Sequence, residues 1–356
     1  MEIGIQFFPD IGPKVKSAQA YWDDALRLCD HFDALGYSHV RTVEHYFEPY
    51  GGYTPNPHIF LVAASQRAKK ARLVTGAVLP VFNHPLKIAG EIGMVDAISN
   101  GRLECGFARA FLPHEFRRFG ISLDESRGRF DEGVDQIRRL LEEENVTSEG
   151  RFHSFKNVTS LPRPTQKPRP PIWTAAMTTE ESFVTAGKRG FWIMSNPILG
   201  TTLANLIGIY RDAWRSAGHP GQGRIMIAFM MLCAPTRQQA FDIAREPVNA
   251  YFKTLVDAAS DWGQGASTKD YPNYDKMIMG LKGETVESQI AKKAAWIGSP
   301  KDCIEMIESY NREVGGFDVA SLQINTKSLP IEMAEASVRL FAREVIPQVR
   351  IGAKAA

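Results

Sequence analysis

The sequence predicts an α/β fold, a closed (β/α)8 barrel or TIM barrel that occupies residues 1–356 as a single domain with insertions. Short apolar runs alternate with longer segments of helical period from one end of the chain to the other. The strand-like runs number eight, which favours a closed barrel over a doubly wound open sheet, the main alternative. No Gly-x-Gly-x-x-Gly motif follows the first run, as a dinucleotide-binding sheet would require.

Four strand and helix pairs are predicted in the first half of the chain. Each strand is a short apolar run, and each helix carries apolar residues three or four positions apart. Gly36 and the pair Asn100-Gly101 follow two of the helices, and glycine and asparagine commonly end helices. In chain order, the predicted elements are strand 2–8, helix 20–35, strand 39–43, helix 57–69, strand 72–79, helix 84–98, strand 102–108 and a helix that follows Ser122.

The fourth helix has the clearest pattern. Ser122 and Glu125 have the spacing of a capping box, in which each side chain accepts the backbone N–H of the other residue. Apolar residues then recur along one face, while arginine and glutamate occupy the opposite face. The apolar stripe consists of Phe130, Val134, Ile137, Leu140 and Leu141.

A proline-rich connection at 161–171 leads into the second half of the chain. Strands are predicted there at 172–177, 191–195, 224–232 and 319–324, and helices at 180–188, 203–217, 237–251 and 331–345. A typical barrel needs about 250 residues, so insertions are expected in this chain. The clearest one is 254–293, which shows no clean period and is predicted to be either a lid or a disordered excursion.

Composition restricts the class of function. Hydrophobic residues make up 44% of the chain and charged residues 23%, which predicts a soluble globular protein rather than a membrane or disordered one. The net charge of +2 is too small for a nucleic-acid surface. The acidic, alternating N-terminus differs from a secretory signal, which predicts a cytoplasmic protein. The expected partner is a small molecule.

Four cysteines are scattered along the chain without a Cys-x-x-Cys pair or clustered histidines. This spacing argues against a disulfide framework and against a structural metal site. We therefore expect no metal, and we expect the cysteines to be buried small apolar residues. They are Cys29, Cys105, Cys233 and Cys303.

In a barrel of this kind, the carboxyl ends of all strands meet at one face, which we call the mouth and where active sites lie. His45 is the candidate catalytic residue there, because an imidazole titrates near neutral pH and serves as a proton donor or acceptor. A histidine held for structural reasons by Glu44 or by a loop carbonyl is one alternative. Metal ligation is a weaker one, because no second histidine stands at helical spacing from His45. The residues predicted to follow strands at the mouth include Phe8, Glu44-His45-Tyr46, Leu79-Pro80, Ala108-Arg109, Met177-Thr178 and Ser195-Asn196.

Arg109, Arg127 and Thr178 suggest a phosphate site. Thr178 and Glu181 have capping-box spacing, and a helix N-terminus offers free N–H donors to an anion. However, Glu180 and Glu181 already complement the helix dipole, and surface ion pairs are an alternative role for both arginines. The residues alone leave the phosphate site open.

Aromatic side chains near the mouth have two possible roles. Core packing explains each one singly, whereas an apolar substrate pocket requires several of them to face the same space. The pocket candidates are Phe8, Phe82, Phe111 and Trp192, together with Leu112.

A set of short motifs follows in a fixed order along nearly the whole chain. The motifs are Glu44-His45-Tyr46-Phe47, Val78-Leu79-Pro80 with His84-Pro85, Gly101-Arg102-Leu103-Glu104-Cys105-Gly106-Phe107-Ala108-Arg109, Phe119-Gly120 with Ser126-Arg127, Pro171-Ile172-Trp173, the insertion at 271–276, and Gly298-Ser299-Pro300-Lys301-Asp302-Cys303. In order and spacing they resemble the bacterial luciferase-like monooxygenases.

The resemblance implies a TIM barrel that binds reduced FMN from a separate NAD(P)H:flavin reductase. It implies that the flavin reacts with O2 at its C4a atom and oxygenates a small apolar organic substrate, with His45 acting beside the ring. It also implies that Arg109, Arg127 and Thr178 bind the flavin phosphate, and that Thr75-Gly76 forms a non-prolyl cis peptide bond under the ring. The further cofactor contacts that it implies are Ala108, Ala176 and Met177.

The chain departs from the light-emitting members of that family. Ala108 and Tyr46 stand where those enzymes have a cysteine and a second histidine, and Leu112 and Met177 replace polar residues of the same template. Oxygenation without useful light is therefore predicted. An apolar pocket would protect the oxygenated flavin by excluding water.

Alternatives within the resemblance concern the cofactor and the assembly. Relatives of this fold use the deazaflavin F420 for hydride transfer, and others are non-catalytic flavin-binding subunits. The resemblance also implies a homodimer through the helices after strands two and three. Small residues on those helices, Ala63-Ala64-Ser65 and Ala89-Gly90, suit such an interface and suit helix-on-barrel packing equally well.

Overall fold

Eight parallel strands close into a barrel, which confirms the predicted TIM-barrel fold. The computed structural model describes residues 1–352 except 265, 267, 269, 272, 325, 326 and 328. The barrel strands follow one another in chain order, and the last pairs with the first through five residues in register from Glu2 and Val319 onward. The mouth is therefore formed from chain segments far apart in sequence.

The barrel strands are β1 (Glu2–Phe7), β2 (His39–Thr42), β3 (Arg72–Thr75), β4 (Leu103–Phe107), β7 (Ile172–Ala175), β8 (Trp192–Ser195), β9 (Ile225–Cys233) and β11 (Val319–Gln323). Three further strands are β5 (Val146–Glu149), β6 (Ser154–Val158) and β10 (Ala295–Gly298). All eight predicted barrel strands are present. Most are shorter than predicted, because the residues at their carboxyl ends belong to the loops at the mouth.

The helices are α1 (Ala18–Cys29), α2 (Phe32–Leu35), α3 (Pro57–Arg67), α4 (Pro85–Ile98), α5 (Pro113–Phe119), α6 (Ser126–Glu142), α7 (Glu180–Arg189), α8 (Gly200–Ser216), α9 (Arg237–Ala258), α10 (Tyr274–Leu281), α11 (Val286–Ala291), α12 (Pro300–Glu313), α13 (Ile331–Glu344) and α14 (Ile346–Gly352). Short 3-10 helices span Leu123–Glu125 and Ser260–Gln264. The main core lies between the barrel and this outer layer of helices.

Two of the predicted helices differ from the structure, one in its continuity and one in its N-terminal cap. The helix predicted at 20–35 is interrupted, with α1 ending before Asp30 and α2 starting after His31, so that Phe32 packs on Phe7 at 6.2 Å. Ser122 caps the 3-10 turn by accepting the N–H of Asp124, and the predicted capping box does not form. The apolar stripe of α6 is confirmed, since Val134, Ile137, Leu140 and Leu141 are buried and Phe130 packs against the core.

Several elements were not predicted from the sequence. β5 and β6 form an antiparallel hairpin before the proline-rich connection. β10 pairs with the last residues of β9, while the first residues of β9 pair with β8. β10 was missed because it has only four residues and follows an irregular insertion. The helix after it, α12, has a complete capping box formed by Ser299 and Asp302.

The insertion at 254–293 contains the end of α9, a 3-10 helix, α10 and α11. Trp262 and Tyr271 from this segment are buried against the mouth in a cluster with Phe8. Residues 265, 267, 269 and 272 of the predicted insertion lie outside the described part of the chain. Its role as a lid stays a prediction.

The four cysteines are free and buried, as predicted. Within the described residues, no group of three or more His, Cys, Asp or Glu side chains has an arrangement that would hold a metal ion. None of the helices in the described part of the chain combines the length and the apolar character that crossing a membrane requires.

Candidate active site

His45 lies in the loop after β2, and a buried carboxylate fixes its imidazole. Its Nδ1 is 3.1 Å from Oε1 of Glu115, and the same oxygen accepts the backbone N–H of Tyr46 at 2.9 Å. Glu115 is fully buried in the first turn of α5. Because a carboxylate only accepts hydrogen bonds, Nδ1 carries a hydrogen, and in the neutral imidazole Nε2 therefore carries the lone pair. Nε2 is therefore the atom of His45 that is able to take up a proton.

The turn behind His45 depends on Gly51. Its φ of +80° lies in the left-handed region that favours glycine. A Cβ at this position would lie 2.6 Å from the Cβ and 2.7 Å from the Cδ2 of His45. The N–H of Gly51 also donates to the carbonyl of Pro9 at 2.9 Å. The backbone of Gly51 thus packs directly against the imidazole of His45, which restricts rotation of that ring.

Glu44 belongs to a separate network. Its carboxylate accepts hydrogen bonds from the Tyr46 hydroxyl, from Nδ2 of Asn83 at 2.7 Å and from the N–H of Leu79 at 3.0 Å. Burial raises the pKa of Glu44 to about 7 despite these donors. Glu44 therefore joins the loop after β2 to the loop after β3, and the residue that holds His45 is Glu115.

Aromatic rings surround the imidazole. The ring centroids of Tyr50, Phe8 and Phe111 lie 5.3, 5.7 and 6.0 Å from that of His45. Tyr251 of α9 packs edge-on against Phe8 at 5.5 Å, and its hydroxyl is 3.2 Å from that of Tyr50. The structure thus brings the predicted pocket residues Phe8 and Phe111 to His45 and adds two tyrosines that sequence reasoning missed.

A cis peptide bond joins Gly76 to Ala77 directly after β3. The prediction of a cis bond between Thr75 and Gly76 is wrong by one residue. The N–H of Gly76 still donates to the carbonyl of Thr42 at 2.7 Å in the barrel ladder, so the Thr75–Gly76 peptide continues the strand. The Thr75 hydroxyl bonds the backbone of Gly106, accepting its N–H at 2.7 Å and donating to its carbonyl at 3.0 Å.

Arg109 follows β4 at the mouth and has an unpartnered guanidinium nitrogen. Its Nη1 is buried and has no hydrogen-bond partner among the described residues. Its Cζ lies 4.4 Å from the ring centre of Tyr271, whose hydroxyl donates to the carbonyl of Ala110 at 2.9 Å. The insertion thus holds the loop after β4 and leaves a buried cationic donor that an anion would satisfy.

Arg127 and the N-terminus of α7 lie side by side. Nη1 of Arg127 is 3.2 Å from Oε2 of Glu181, and its backbone N–H donates to Asp270 at 3.4 Å. The predicted capping box of Thr178 and Glu181 is wrong, because Thr179 is the N-cap residue and no described side chain caps this end. Glu181 instead pairs with the arginine. Thr178 is exposed at the same helix end.

Three further predicted cofactor contacts follow β4 and β7 at the mouth. Ala176 is buried, while Ala108 and Met177 are half-buried. Sδ of Met177 accepts a hydrogen bond from Nδ2 of Asn196 at 3.5 Å. Leu112, a predicted pocket residue, is fully buried at the N-cap of α5. These side chains are small or apolar, so they would contact a ligand by van der Waals packing and not through charge.

Phe82 belongs to a second aromatic group next to the one around His45. Its ring stacks on Phe119 at 4.7 Å and packs edge-on against Tyr46 at 6.0 Å. The described ring contacts of Phe82 do not include His45. Its place in a substrate pocket stays a prediction.

Trp192 is not brought to the mouth. It is the first residue of β8, and its ring packs against Trp173 at 4.9 Å and lies 5.1 Å from Cζ of Arg224, which precedes β9. Because the strands are parallel, the start of β8 lies at the opposite end of the barrel from the mouth. The prediction of Trp192 as a pocket residue is therefore wrong. The side chain of Trp192 instead packs in the core, which was the alternative role of these aromatic residues.

Sequence reasoning also missed α5, and with it Glu115. A signal was present, because Pro113 occupies the first turn of this helix and Gly120 ends it with a φ of +68°. Recognising the helix would have placed an acid in its first turn directly after the loop that follows β4. The pairing with His45 itself depends on packing between two loops and had no sequence signal.

Comparisons with known proteins agree with this architecture. Residues 1–316 match the family model described as luciferase-like monooxygenase. The chain is 30% identical over 333 residues to the flavin-dependent trigonelline monooxygenase, oxygenase component, of Acinetobacter baylyi, covering 92% of this chain and 89% of that protein. The crystal structure of the monooxygenase RslO1 from Streptomyces bottropensis superimposes with a TM-score of 0.88 at 39% identity, covering 98% of this chain and 100% of that one.

More distant structures share the fold. The oxygenating constituent of 3,6-diketocamphane monooxygenase from Pseudomonas putida, a type II Baeyer-Villiger monooxygenase in complex with FMN, superimposes with a TM-score of 0.81 at 22% identity, covering 98% of each chain. An F420-dependent secondary alcohol dehydrogenase superimposes with a TM-score of 0.76 at 18% identity, covering 98% of this chain and 99% of that one. At these identities the likeness establishes the fold alone.

Proposed function

This chain belongs to the luciferase-like monooxygenase family, and we propose that it is the FMN-dependent oxygenase component of a two-component monooxygenase. Its proposed substrates are reduced FMN, O2 and a small apolar organic molecule. The observation that carries the proposal is the buried pairing of His45 with Glu115 inside an aromatic wall at the mouth.

The residues at the mouth fit a flavin mononucleotide. A phosphate group would satisfy the buried Nη1 of Arg109 and would approach Arg127 and the uncapped N-terminus of α7 beside Thr178. Thr75, Gly76, Ala108, Ala176 and Met177 are the proposed neighbours of the flavin ring. When bound, the reduced flavin would activate O2 and transfer one oxygen atom to the substrate.

His45 has the geometry of a proton-transfer residue. Glu115 holds Nδ1–H, so Nε2 is the atom that would take up or return a proton during the reaction. The packing of Gly51 against the ring keeps that atom in one orientation. Glu115 acts through His45 and is a positioning residue.

The apolar wall supports the proposed class of substrate. Phe8, Phe111 and Leu112 would exclude water from the reacting groups, and Phe82 extends the apolar surface beyond Tyr46. A ketone, aldehyde or terpenoid fits such a wall better than a highly charged metabolite.

The proposal includes partners and a location. The reduced flavin would come from a separate NAD(P)H:flavin reductase, and the protein would act in the cytoplasm. A homodimer is proposed through α3 and α4. Exposed apolar side chains on these helices support it, because Ile59, Met94 and Ile98 are 72, 57 and 41% exposed.

The test compares the wild type with His45→Ala. Fluorescence titration with FMN, and anaerobic titration with FMNH2 and with reduced F420, identifies the cofactor. Oxygenation is then assayed with FMNH2, air-saturated buffer and a panel of aliphatic aldehydes, cyclic ketones and terpenes. We expect the variant to bind FMN normally and to lose product formation by about 100-fold. His219→Ala, at a half-buried histidine whose Nε2 is 3.0 Å from the carbonyl of Lys188, is the matched control.

Other outcomes would reject parts of the proposal. Tight F420 binding without FMN binding would identify a deazaflavin enzyme of the same fold. Equal product yield from His45→Ala would remove His45 from the mechanism. Flavin binding without turnover of any panel member by the wild type would favour a non-catalytic flavin-binding subunit.

A further inference from the structure

Three polar side chains form a row inside the barrel, which we call the polar layer. Gln323 of β11, Gln6 of β1 and Arg41 of β2 are register partners on adjacent strands. They are 5, 5 and 7% exposed. Phe8 and Val43, which lie two positions after Gln6 and Arg41 and directly follow β1 and β2, belong to the apolar cluster at the mouth. Side chains alternate along a strand, so the polar layer lies directly below that cluster.

Arg41 carries a positive charge with only neutral partners. Its Nη1 donates to Oε1 of Gln6, and its Nη2 donates to the carbonyl of Gly76 at 3.1 Å and lies 3.6 Å from Sδ of Met194. Burial lowers its pKa to about 10, and no described carboxylate opposes that effect. The guanidinium therefore stays charged at neutral pH without a counter-ion. A buried cation in this state is costly to the fold.

Two hydrogen-bond donors in the polar layer are also unsatisfied. Nε of Arg41 and Nε2 of Gln323 are buried without a hydrogen-bond partner among the described residues. A buried donor without an acceptor costs free energy. The two donors call for a hydrogen-bond acceptor, and the uncompensated positive charge favours a negatively charged one.

An arginine at the other end of the barrel provides a contrast. Arg72 begins β3, and its Nε lies 2.7 Å from Oε1 of Glu104, while its Nη2 pairs with Glu2. At that end of the barrel, carboxylates of the protein itself neutralise the positive charge of Arg72. At Arg41 the fold supplies the amide oxygen of Gln6 and the backbone carbonyl of Gly76 instead, so structural support alone does not account for the missing counter-ion.

The guanidinium is in contact with the segment that opens the mouth after β3. A Cβ on Gly76 would collide with Nε of Arg41, so glycine is the residue that allows this approach. The Gly76 carbonyl accepts from the same guanidinium. Arg41 thus lies directly against the Gly76–Ala77 peptide, on the side facing the barrel interior.

We propose that the polar layer is an anion-stabilising floor of the cofactor site, in which Arg41 favours binding of the reduced, anionic flavin ring over the neutral oxidised ring. This inference rests on the proposed function. Reduction of FMN to FMNH⁻ takes two electrons from a reductase, or from dithionite in the experiment, and one proton, which bonds to N5. One negative charge remains on the ring. Arg41 stabilises that charge and is not itself altered.

The test measures the ratio of dissociation constants for FMN and for dithionite-reduced FMN under anaerobic conditions. The key variant is Gln6→Glu, which is nearly isosteric and gives Arg41 a carboxylate partner at the position of the present amide oxygen. Arg41→Gln removes the charge, and Arg41→Lys retains it. Arg215→Gln on the exposed face of α8 is the matched control for loss of one positive charge.

We expect the preference for reduced FMN to fall about tenfold in Gln6→Glu and Arg41→Gln. Because each tenfold change in a two-electron couple is about 30 mV, the potential of bound FMN should fall by a similar step. Arg41→Lys should retain most of the preference, and Arg215→Gln all of it. Gln6→Glu is expected to fold normally, since it adds an ion pair and no volume.

The outcomes separate this inference from the proposed function. If the wild type binds FMN in neither state, the proposed function and the inference both fail. If the wild type binds FMN and folded Gln6→Glu keeps the wild-type ratio, the inference alone fails. An equal loss of affinity for both redox states would indicate a structural role and also overturn it.

Discussion

The imidazole of His45 and the carboxylate of Glu115 are 70 residues apart in sequence, and Nδ1 of the histidine lies 3.1 Å from Oε1 of the glutamate. The carboxylate is fully buried, and its Oε2 has no hydrogen-bond partner among the described residues. The cost of burying it is offset only in part by the Tyr46 N–H. An arrangement that is costly for stability and fixes one tautomer is typical of a functional site.

Glu115→Gln tests this relationship. The amide preserves volume but is able to donate to Nδ1, which would place the hydrogen on Nε2 and remove the proton acceptor. We expect turnover with FMNH2 to fall about 100-fold while FMN affinity changes less than about twofold. The pH profile of the residual activity should also change, which a purely structural role would not cause. Activity restored by Glu115→Asp would support positioning, and wild-type turnover in Glu115→Gln would contradict it.

Arg109→Met tests the phosphate site. Loss of a charge-assisted hydrogen bond of about 2 kcal/mol should weaken FMN binding roughly 30-fold. Riboflavin, which lacks the phosphate, should bind the variant and the wild type equally. Arg129→Met is the control, since Arg129 pairs with Glu125 and packs on Phe152. Equal loss of riboflavin affinity would show that Arg109 acts on the ring and not on the phosphate. Fluorescence quenching measures the affinities of all three proteins for FMN and for riboflavin.

Gly51→Ala tests the steric contact with His45. Gly51 and Gly218 have nearly equal φ values of +80° and +78°, but an added Cβ meets the imidazole at Gly51 and open space at Gly218. Both alanine variants should lose about 1 kcal/mol of stability from backbone strain. Only Gly51→Ala should also lose turnover. If both variants keep wild-type turnover, the packing of Gly51 does not determine the orientation of the ring.

Asp10 gives a prediction for stability against pH. Its side chain is fully buried, Oδ1 accepts the N–H of Lys327 at 2.7 Å, and burial raises the pKa from 3.8 to about 7. Between these values the native state keeps a proton that the unfolded state has released, so stability falls as pH rises through this window.

Relative to Asp10→Asn, which does not titrate, the wild type should lose about 2–3 kcal/mol of unfolding free energy between pH 5 and pH 8. Urea denaturation at both pH values measures this difference. Other groups, including Glu44, titrate in both proteins and cancel in the comparison. Parallel pH dependence in the two proteins would contradict a raised pKa for Asp10.

Met94→Glu tests the proposed dimer. Met94 and Ile98 are four residues apart on α4, so they share one exposed face of the helix. Light scattering after size exclusion should give twice 39.7 kDa for the wild type and the single mass for the variant. Met333→Glu on α13, where the side chain is 44% exposed, should stay dimeric. A wild-type monomer, or a Met94→Glu dimer, would exclude this face as the interface.

The sequence predicted the order of the eight barrel strands and the identity of the residues at the mouth. This succeeded because buried strands leave apolar runs, amphipathic helices leave a helical period, and strand ends in a barrel converge on one face. His45, Arg109 and Phe8 were located in this way. Local rules failed at Thr178, where the predicted capping side chain is exposed and Glu181 pairs with Arg127 instead.

Tertiary structure alone decided which side chains meet. Glu115 reaches His45 because α5 packs beside the loop after β2, and Arg41 lacks a counter-ion because the strand register places the neutral amide of Gln6 beside it. Trp192 lies at the wrong end of its strand for a pocket, which the aromatic content of the strand did not reveal. Periodicity records which face of an element is buried. It holds no information about the partner on another element, so the electrostatics of the site were set by packing between distant segments.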